Sequence, residues 1–124
     1  MLLVFSHKLT NRQIQSAKKY FNVVSFKCLP SKLQQVWSNI PPDKKDINPY
    51  VEEIIQWIKN TANKGDIVLV QGDFGATYKI VRYCKHKGYK AVYSTTKREA
   101  IEKETENSTI SITHKVSHVI FREY

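Results

Sequence analysis

The sequence predicts an α/β fold: a Rossmann-like, mostly parallel sheet flanked by helices, ending in a C-terminal β-hairpin. Three observations predict it. Short apolar, β-branched-rich runs alternate with segments of helical period along most of the chain. The stretch from Gly65 to Gly88, GDIVLVQGDFGATYKIVRYCKHKG, carries a buried strand through a polar, glycine-bearing turn into a helix, which is a βα unit. Near the C-terminus, Glu106-Asn107-Ser108 has turn chemistry, and Thr109-Ile110-Ser111-Ile112-Thr113 alternates as a strand does.

Taken in order, residues 2–5 form the first strand, with Ser6-His7 directly after it. Thr10 and Gln13 have capping-box spacing, and Leu9 can staple onto Ile14, so a helix starts there with Ile14, Ala17 and Phe21 on one face. Residues 22–29 read as the second strand, stopped by Pro30. Ser31 and Gln34 suggest a second capping box, and Leu33, Val36, Trp37 and Ile40 form the apolar face of a short helix before Pro41-Pro42. Asn48-Pro49 reads as an N-cap with proline at the first helical position, opening a helix that carries Val51, Ile54, Ile55 and Ile58.

Ile67 to Val70 are the third strand. The helix after it holds Phe74, Thr77, Val81 and Cys84 at helical spacing and stops at Lys85-His86-Lys87-Gly88. Residues 89–93 form the fourth strand, followed by the polar stretch Ser94 to Arg98. The hairpin pairs residues 100–105 with 109–114, although 99–106 also has helix-forming composition. Residues 116–121 make a last apolar piece. The whole chain, 1–124, reads as one domain.

Bulk composition narrows the partners. The 41% apolar and 25% charged fractions are those of a soluble globular chain, and no apolar run reaches membrane-spanning length. MLLVFSHKLT lacks a basic n-region and a long h-region, so it reads as a strand rather than a signal peptide, and the expected location is cytoplasmic. Cys28 and Cys84 lack metal-ligand spacing and read as reduced thiols in core positions. The net charge of +9 favours a polyanionic partner, with nucleotide phosphates foremost, although much of it can sit on solvated helix faces.

In open α/β sheets ligands bind at the carboxyl ends of the strands. If the first strand lies between the second and third, a crevice opens beside Ser6-His7 and Gln71-Gly72-Asp73, with Ser94 to Arg98 adjacent. Gly72 and Gly75 permit close backbone approach, and the helix N-terminus that follows offers free N–H groups to an anion. Asp73 can instead simply cap that helix. His7 can accept a proton near neutral pH, though a lone loop histidine is more often plain surface. Ser94, Thr95, Thr96, Lys97 and Arg98 supply hydroxyls and two cations suited to a phosphodiester, or make an exposed turn. Arg122 can reach a phosphate or cover the sheet edge. No metal or cofactor motif is recognisable, and His114 and His118 lack supporting ligands. Such a site works by positioning and charge, which suits RNA cleavage by its own 2′-hydroxyl.

Five segments then carry a resemblance along the whole chain: LLVFSHxLT from Leu2, LQQVWSNIP from Leu33, LVQGDFGATY from Leu69, YSTTKR from Tyr93 and HVIFREY from His118. Together they resemble one of the small Csx-type CRISPR-associated accessory families of type III systems. The resemblance implies a CRISPR-associated Rossmann-fold domain that recognises cyclic oligoadenylate, most often cyclic tetra-adenylate, as a homodimer with the ligand across its two-fold axis. It implies a metal-independent ring nuclease, leaving 2′,3′-cyclic phosphate ends, with no cofactor and no membrane or DNA partner. Some relatives only bind and sequester the ring. Ser6, His7, Gln71, Gly72, Asp73, Phe74, Gly75, Thr77 and the segment from Ser94 to Arg98 fall in the family's motif blocks. The roles of His7 as base and of Lys97 and Arg98 as oxyanion stabilisers rest on their chemistry. Leu33, Trp37 and Ile40 read as core or dimer contacts. A general RNA-binding domain is the remaining alternative.

Overall fold

Side chains alternate across a strand, so residues two apart share a face, and this sorts the core into two clusters. In the computed structural model, which describes residues 1–104 and 109–124, Leu2, Val4, Val68 and Val70 point to one side of the sheet. Leu3, Leu69 and Val92 point to the other. The strands are β1 (Leu2–Val4), β2 (Lys27–Cys28), β3 (Ile67–Val70), β4 (Lys90–Glu104) and β5 (Ile110–Glu123). They form one sheet in the order β2-β1-β3-β4-β5, parallel except for the antiparallel β4–β5 pair. Helices α2 (Ser31–Ser38), α3 (Asn48–Thr61) and α4 (Phe74–Lys87) supply Trp37, Ile54, Ile58, Ile80 and Cys84 to the first cluster. Helix α1 (Asn11–Phe21) covers the second with Ala17. The α/β class, the mostly parallel sheet and the C-terminal antiparallel pair are as the sequence predicts, and β1 lies between β2 and β3, the condition on which the expected crevice rested.

The local signals hold where the chemistry is strongest. Thr10 Oγ1 accepts from Gln13 N at 3.2 Å, and Gln13 Oε1 accepts from Thr10 N at 2.9 Å, a complete capping box. Gly88, at φ 81°, closes α4 in the left-handed conformation that favours glycine.

Other boundaries differ for identifiable reasons. The second strand shrinks to Lys27–Cys28, because Asn22 and Val23 are used to end α1: Asn22 sits at φ 54° and Val23 N donates to Ala17 O. Cys28 is exposed there, not in the core, whereas Cys84 is buried. Ser31 lies inside α2, whose N-cap is Pro30, so it forms no capping box. Asn48 is likewise the first residue of α3 rather than its cap, and its N–H is held by Asp46 Oδ1 at 2.9 Å.

The largest difference is at the C-terminal end. The expected fourth strand and the first hairpin strand are one strand, β4, 15 residues long. The second hairpin strand and the last apolar piece fuse into β5, 14 residues long. No glycine or proline follows Gly88, so nothing interrupts either strand. Glu106, Asn107 and Ser108, where the sequence places the turn, and Thr105, the expected end of the first hairpin strand, lie outside the described residues. Strand β4 pairs with β3 only from Lys90 to Val92. Beyond that, residues 95–104 run on with β5 alone as a ribbon, about 33 Å long at strand rise. A bulge marks the departure: Ser94 faces Phe121 and Thr96 faces His118, so β5 carries one extra residue there.

Candidate functional site

The end of β3 is fixed from below by α2. Trp37 is buried, and its Nε1 donates to Gln71 O at 2.9 Å. The indole comes so close that a Cβ added at Gly72 would lie 2.8 Å from it. Glycine at 72 is therefore required by contact. Gly75 is different, since a Cβ there would meet nothing nearer than Ile47 Cδ1 at 3.5 Å.

Asp73 caps α4 by accepting from Ala76 N at 3.0 Å. The cap satisfies one of the free N–H groups and brings a carboxylate to the helix N-terminus. That charge works against a phosphate at this end. The cavity beside it suits an aromatic ligand instead. Gln71, Gly72, Phe74, Thr77, Tyr78, Val81, Tyr93 and Tyr124 enclose about 490 Å³ at the carboxyl edge of the sheet. Phe74 and Tyr78, four residues apart on α4, are largely exposed at its mouth.

The opposite wall is built by β4 and β5. The rings of Tyr93 and Tyr124 lie 4.8 Å apart. Tyr124 OH donates to Val70 O at 2.5 Å, and burial followed by the neighbouring Tyr93 raises its pKa. Arg122 Nη1 donates to Tyr93 OH at 2.9 Å, with the guanidinium 5.6 Å from the ring centre. Because Tyr93 OH accepts from Arg122, its own proton is free for another acceptor. On the α4 side, Thr77 Oγ1 is buried without a hydrogen-bond partner among the described residues.

Ser94 is not a surface hydroxyl. It is buried; its N donates to Gln71 Oε1 at 2.8 Å, and its Oγ lies 2.5 Å from His118 Nδ1. Gln13 Nε2 approaches the same Oγ at 3.4 Å. His118 is buried against Phe121, and burial, then Arg12, lowers its pKa. The network ties α1, β4, β5 and the Gln71 turn together from behind the cavity.

The remaining predicted residues separate. Ser6 and His7 line a different cavity, of about 540 Å³, with Phe5, Leu9, Cys28 and Gln34. His7 is exposed and meets Phe5 edge-on at 5.4 Å, while Ser6 Oγ accepts from Ser38 Oγ at 3.1 Å. Gln71, Gly72, Phe74 and Thr77 therefore share one cavity, and Ser6 and His7 share another. The segment from Ser94 to Arg98 is strand, not a loop beyond one. Its register places Lys97 on the face of Tyr93 and Arg98 on the face of Ser94, so the two cations diverge. Lys97 Nζ is 3.6 Å from Glu99 Oε1 in an exposed pair worth little. Thr95 Oγ1 is engaged with the backbone of Ile120, and Thr96 is exposed opposite His118.

Sequence reading missed Trp37 as the support of Gln71, and Tyr78, Tyr93, Tyr124 and His118 as wall and buttress. The helical spacing of Phe74 and Tyr78 was a usable signal. The meeting of Tyr93 with Tyr124 was not, because it depends on the β4–β5 register. Among the described residues, no group of three or more His, Cys, Asp or Glu is placed to hold a metal ion, and no helix is long and apolar enough to cross a membrane.

A relative in Methanocaldococcus jannaschii, described as "Uncharacterized protein MJ1673", is 47% identical over 124 residues, covering 100% of this chain and 95% of the relative. No solved structure matches. The family model described as "Uncharacterized protein MJ1673 family" matches residues 1–122, and the chain belongs to that family.

Proposed function

We propose that this protein binds cyclic oligoadenylate, with cyclic tetra-adenylate first, at the carboxyl edge of its sheet and opens the ring without metal, ending type III CRISPR signalling. The observation that carries the reading is the aromatic cavity beside Gln71-Gly72, walled by Tyr93 and Tyr124 and flanked by Arg122. A base stacks on such walls with little regard for identity. The Tyr93 hydroxyl supplies a polar contact, and Arg122 and Lys97, on the Tyr93 face, meet phosphates. The basic chain and the resemblance to Csx-type accessory proteins support the same ligand.

In the reaction, a ribose 2′-oxygen attacks its own 3′-phosphorus. The P–O5′ bond breaks, the 2′-proton passes to a base, and the 5′-oxygen takes up a proton. The product is linear and ends in a 2′,3′-cyclic phosphate. In-line alignment of the held ring is the main contribution asked of the protein. His7 is the proposed proton acceptor, reached by a ring that spans the two-fold axis of a homodimer.

A second reading, binding without cleavage, is favoured by one observation: His7 lines a separate cavity, and Lys97 and Arg98 point to opposite faces. Incubation with cyclic oligoadenylates of several sizes in EDTA, with products resolved by chromatography, separates the readings. Linear adenylates with 2′,3′-cyclic phosphate ends support cleavage. Intact ring that co-elutes with the protein supports sequestration. Failure to bind any ring, with salt-sensitive binding of linear RNA, overturns both in favour of a general RNA-binding domain.

A further inference from the structure

Most of the chain's excess positive charge lies away from the cavity, at the edge of the sheet where the parallel strands begin. Parallel strands joined by crossover helices bring the C-terminal ends of α1, α3 and α4 to that edge. Backbone bonds knit it together: Lys27 N donates to Met1 O at 3.0 Å, Gly65 N to Gly88 O at 3.2 Å and Lys90 N to Asp66 O at 2.9 Å. Lys90 Nζ lies 5.9 Å from the centre of the Phe21 ring, which joins the start of β4 to the end of α1. Lys18 and Lys19 end α1, Lys59 ends α3, and Lys85 and Lys87 end α4. Lys27 and Lys90 open β2 and β4, and Lys64 stands in the loop before β3. All eight lysines are exposed, and none is ion-paired among the described residues. Two acids, Asp66 and Glu123, share the edge, and the Asp66 carboxylate already accepts from Asn63 N at 2.8 Å. Of 20 Lys and Arg and 11 Asp and Glu, twelve cations and nine acids are left for the rest of the chain, so six of the nine net charges sit here. Complementing a helix macrodipole accounts for the five lysines at helix ends. It gives no reason for Lys27, Lys64 and Lys90.

The composition of this edge identifies the occupant. Protein interfaces are depleted in lysine, so an acidic protein is a poor match. A membrane-surface helix lays an apolar face along the lipid, whereas the helices here meet the edge end-on. A nucleic-acid strand fits better. From Lys27 on β2 across β1 and β3 to Lys90 on β4 is three strand spacings, about 14 Å, room for about four phosphates at about 3.4 Å each. Between these lysines lies a cleft of about 270 Å³ lined by Asn22, Ser25, Lys27, Asn63 and Asp66, which offers amides and a hydroxyl to sugars or base edges. Beside it, Tyr20 is 65% exposed, with Lys19 Nζ 5.3 Å from its ring centre. Cations that track a backbone together with an aromatic ring on which a base can stack are the equipment of single-strand binding.

We infer that the amino edge of the sheet is a second binding surface, which grips the phosphate backbone of single-stranded RNA through Lys27, Lys64 and Lys90 and stacks a base on Tyr20. The surface is separate from the aromatic cavity, and the inference stands whether or not that cavity takes a cyclic ligand.

Fluorescence anisotropy of the full chain with a labelled, mixed-sequence, single-stranded RNA of about 15 nucleotides tests it, over a salt series starting near 50 mM. The native chain is expected to bind, with affinity falling steeply as salt rises. Lys27→Gln, Lys64→Gln and Lys90→Gln together are expected to weaken binding about tenfold or more and to make the log–log salt slope shallower by about 2. Arginine at the same three positions is expected to keep both, which shows that charge and not folding was lost. Tyr20→Ala is expected to cost about fivefold or more. Lys97→Ala with Arg122→Ala, at the cavity, is expected to leave RNA affinity unchanged. A native chain that binds no RNA near 50 mM salt overturns the inference. So does a triple glutamine variant with native affinity and slope, or a loss of RNA binding in Lys97→Ala with Arg122→Ala. Co-sedimentation with phosphatidylserine vesicles in the absence of RNA binding overturns it in favour of a membrane surface.

Discussion

Ser94 Oγ lies 2.5 Å from His118 Nδ1 inside the protein, where α1, β4 and β5 meet behind the Gln71 turn. Gln13 can donate to Ser94 Oγ, so the serine hydroxyl can in turn donate to the imidazole. This arrangement uses the neutral ring. Burial and the nearby Arg12 guanidinium both disfavour the charged form and hold the pKa below its ordinary 6.5.

The sign of the resulting pH dependence is fixed. The unfolded chain binds the His118 proton more readily than the folded one does, so the His118 contribution is fully present above 6.5. It is lost as pH falls from 6.5 toward the lower folded value. Urea unfolding from pH 8 to pH 5 is expected to show stability dropping in that window, and His118→Gln is expected to flatten the drop. A native slope unchanged in His118→Gln would remove the buried imidazole as its cause.

Gly72→Ala places a methyl 2.8 Å from the Trp37 indole. Overpacking of this kind costs about 1–3 kcal/mol. The change is expected to lower the thermal midpoint, whereas Gly75→Ala, which has room, is expected to stay close to the native value. Equal midpoints for the two variants would contradict the close approach at Gly72.

Asp73→Ala removes the α4 cap and is expected to cost about 1 kcal/mol of stability. It also removes a negative charge from the helix N-terminus. If the cavity holds a base while phosphates lie toward Arg122, ring affinity should hold or rise slightly. A sharp loss of affinity in a folded variant would instead show the carboxylate touching the ligand.

Tyr93→Ala strips the cavity of a wall and Arg122 of its partner. Base stacking on an aromatic side chain is worth about 1–3 kcal/mol. Binding of cyclic tetra-adenylate, followed by calorimetry, is expected to weaken correspondingly. Unchanged affinity would move the ligand away from this cavity.

The elements whose chemistry is local were legible in the sequence. The Thr10–Gln13 box, the Asp73 cap and the Gly88 stop each involve residues within one helical turn. The βα unit at Val70–Phe74 followed from the apolar run and the glycine-bearing turn after it, whereas the order of the parallel strands entered the sequence reading only as a condition and is fixed by the pairing. The long β4 and β5 strands were not read as continuous, because a polar run such as Ser94 to Arg98 looks like a loop when its partner strand is unknown. The Ser94 and Thr95 hydroxyls are held by residues more than twenty positions away, at His118 and Ile120. The site divided for the same reason. Strand alternation sends Lys97 and Arg98 to opposite faces once the segment is a strand, and a loop carries no such rule. His118 gave no signal either, since its partner Ser94 is found only through the bulged register.

The most direct measurement is a single-turnover incubation of the native chain, in excess, with labelled cyclic tetra-adenylate and EDTA. The account predicts that the label leaves the ring and appears as a linear adenylate closed by a terminal 2′,3′-cyclic phosphate. Label recovered wholly as ring, neither cut nor retained by the protein, would contradict it.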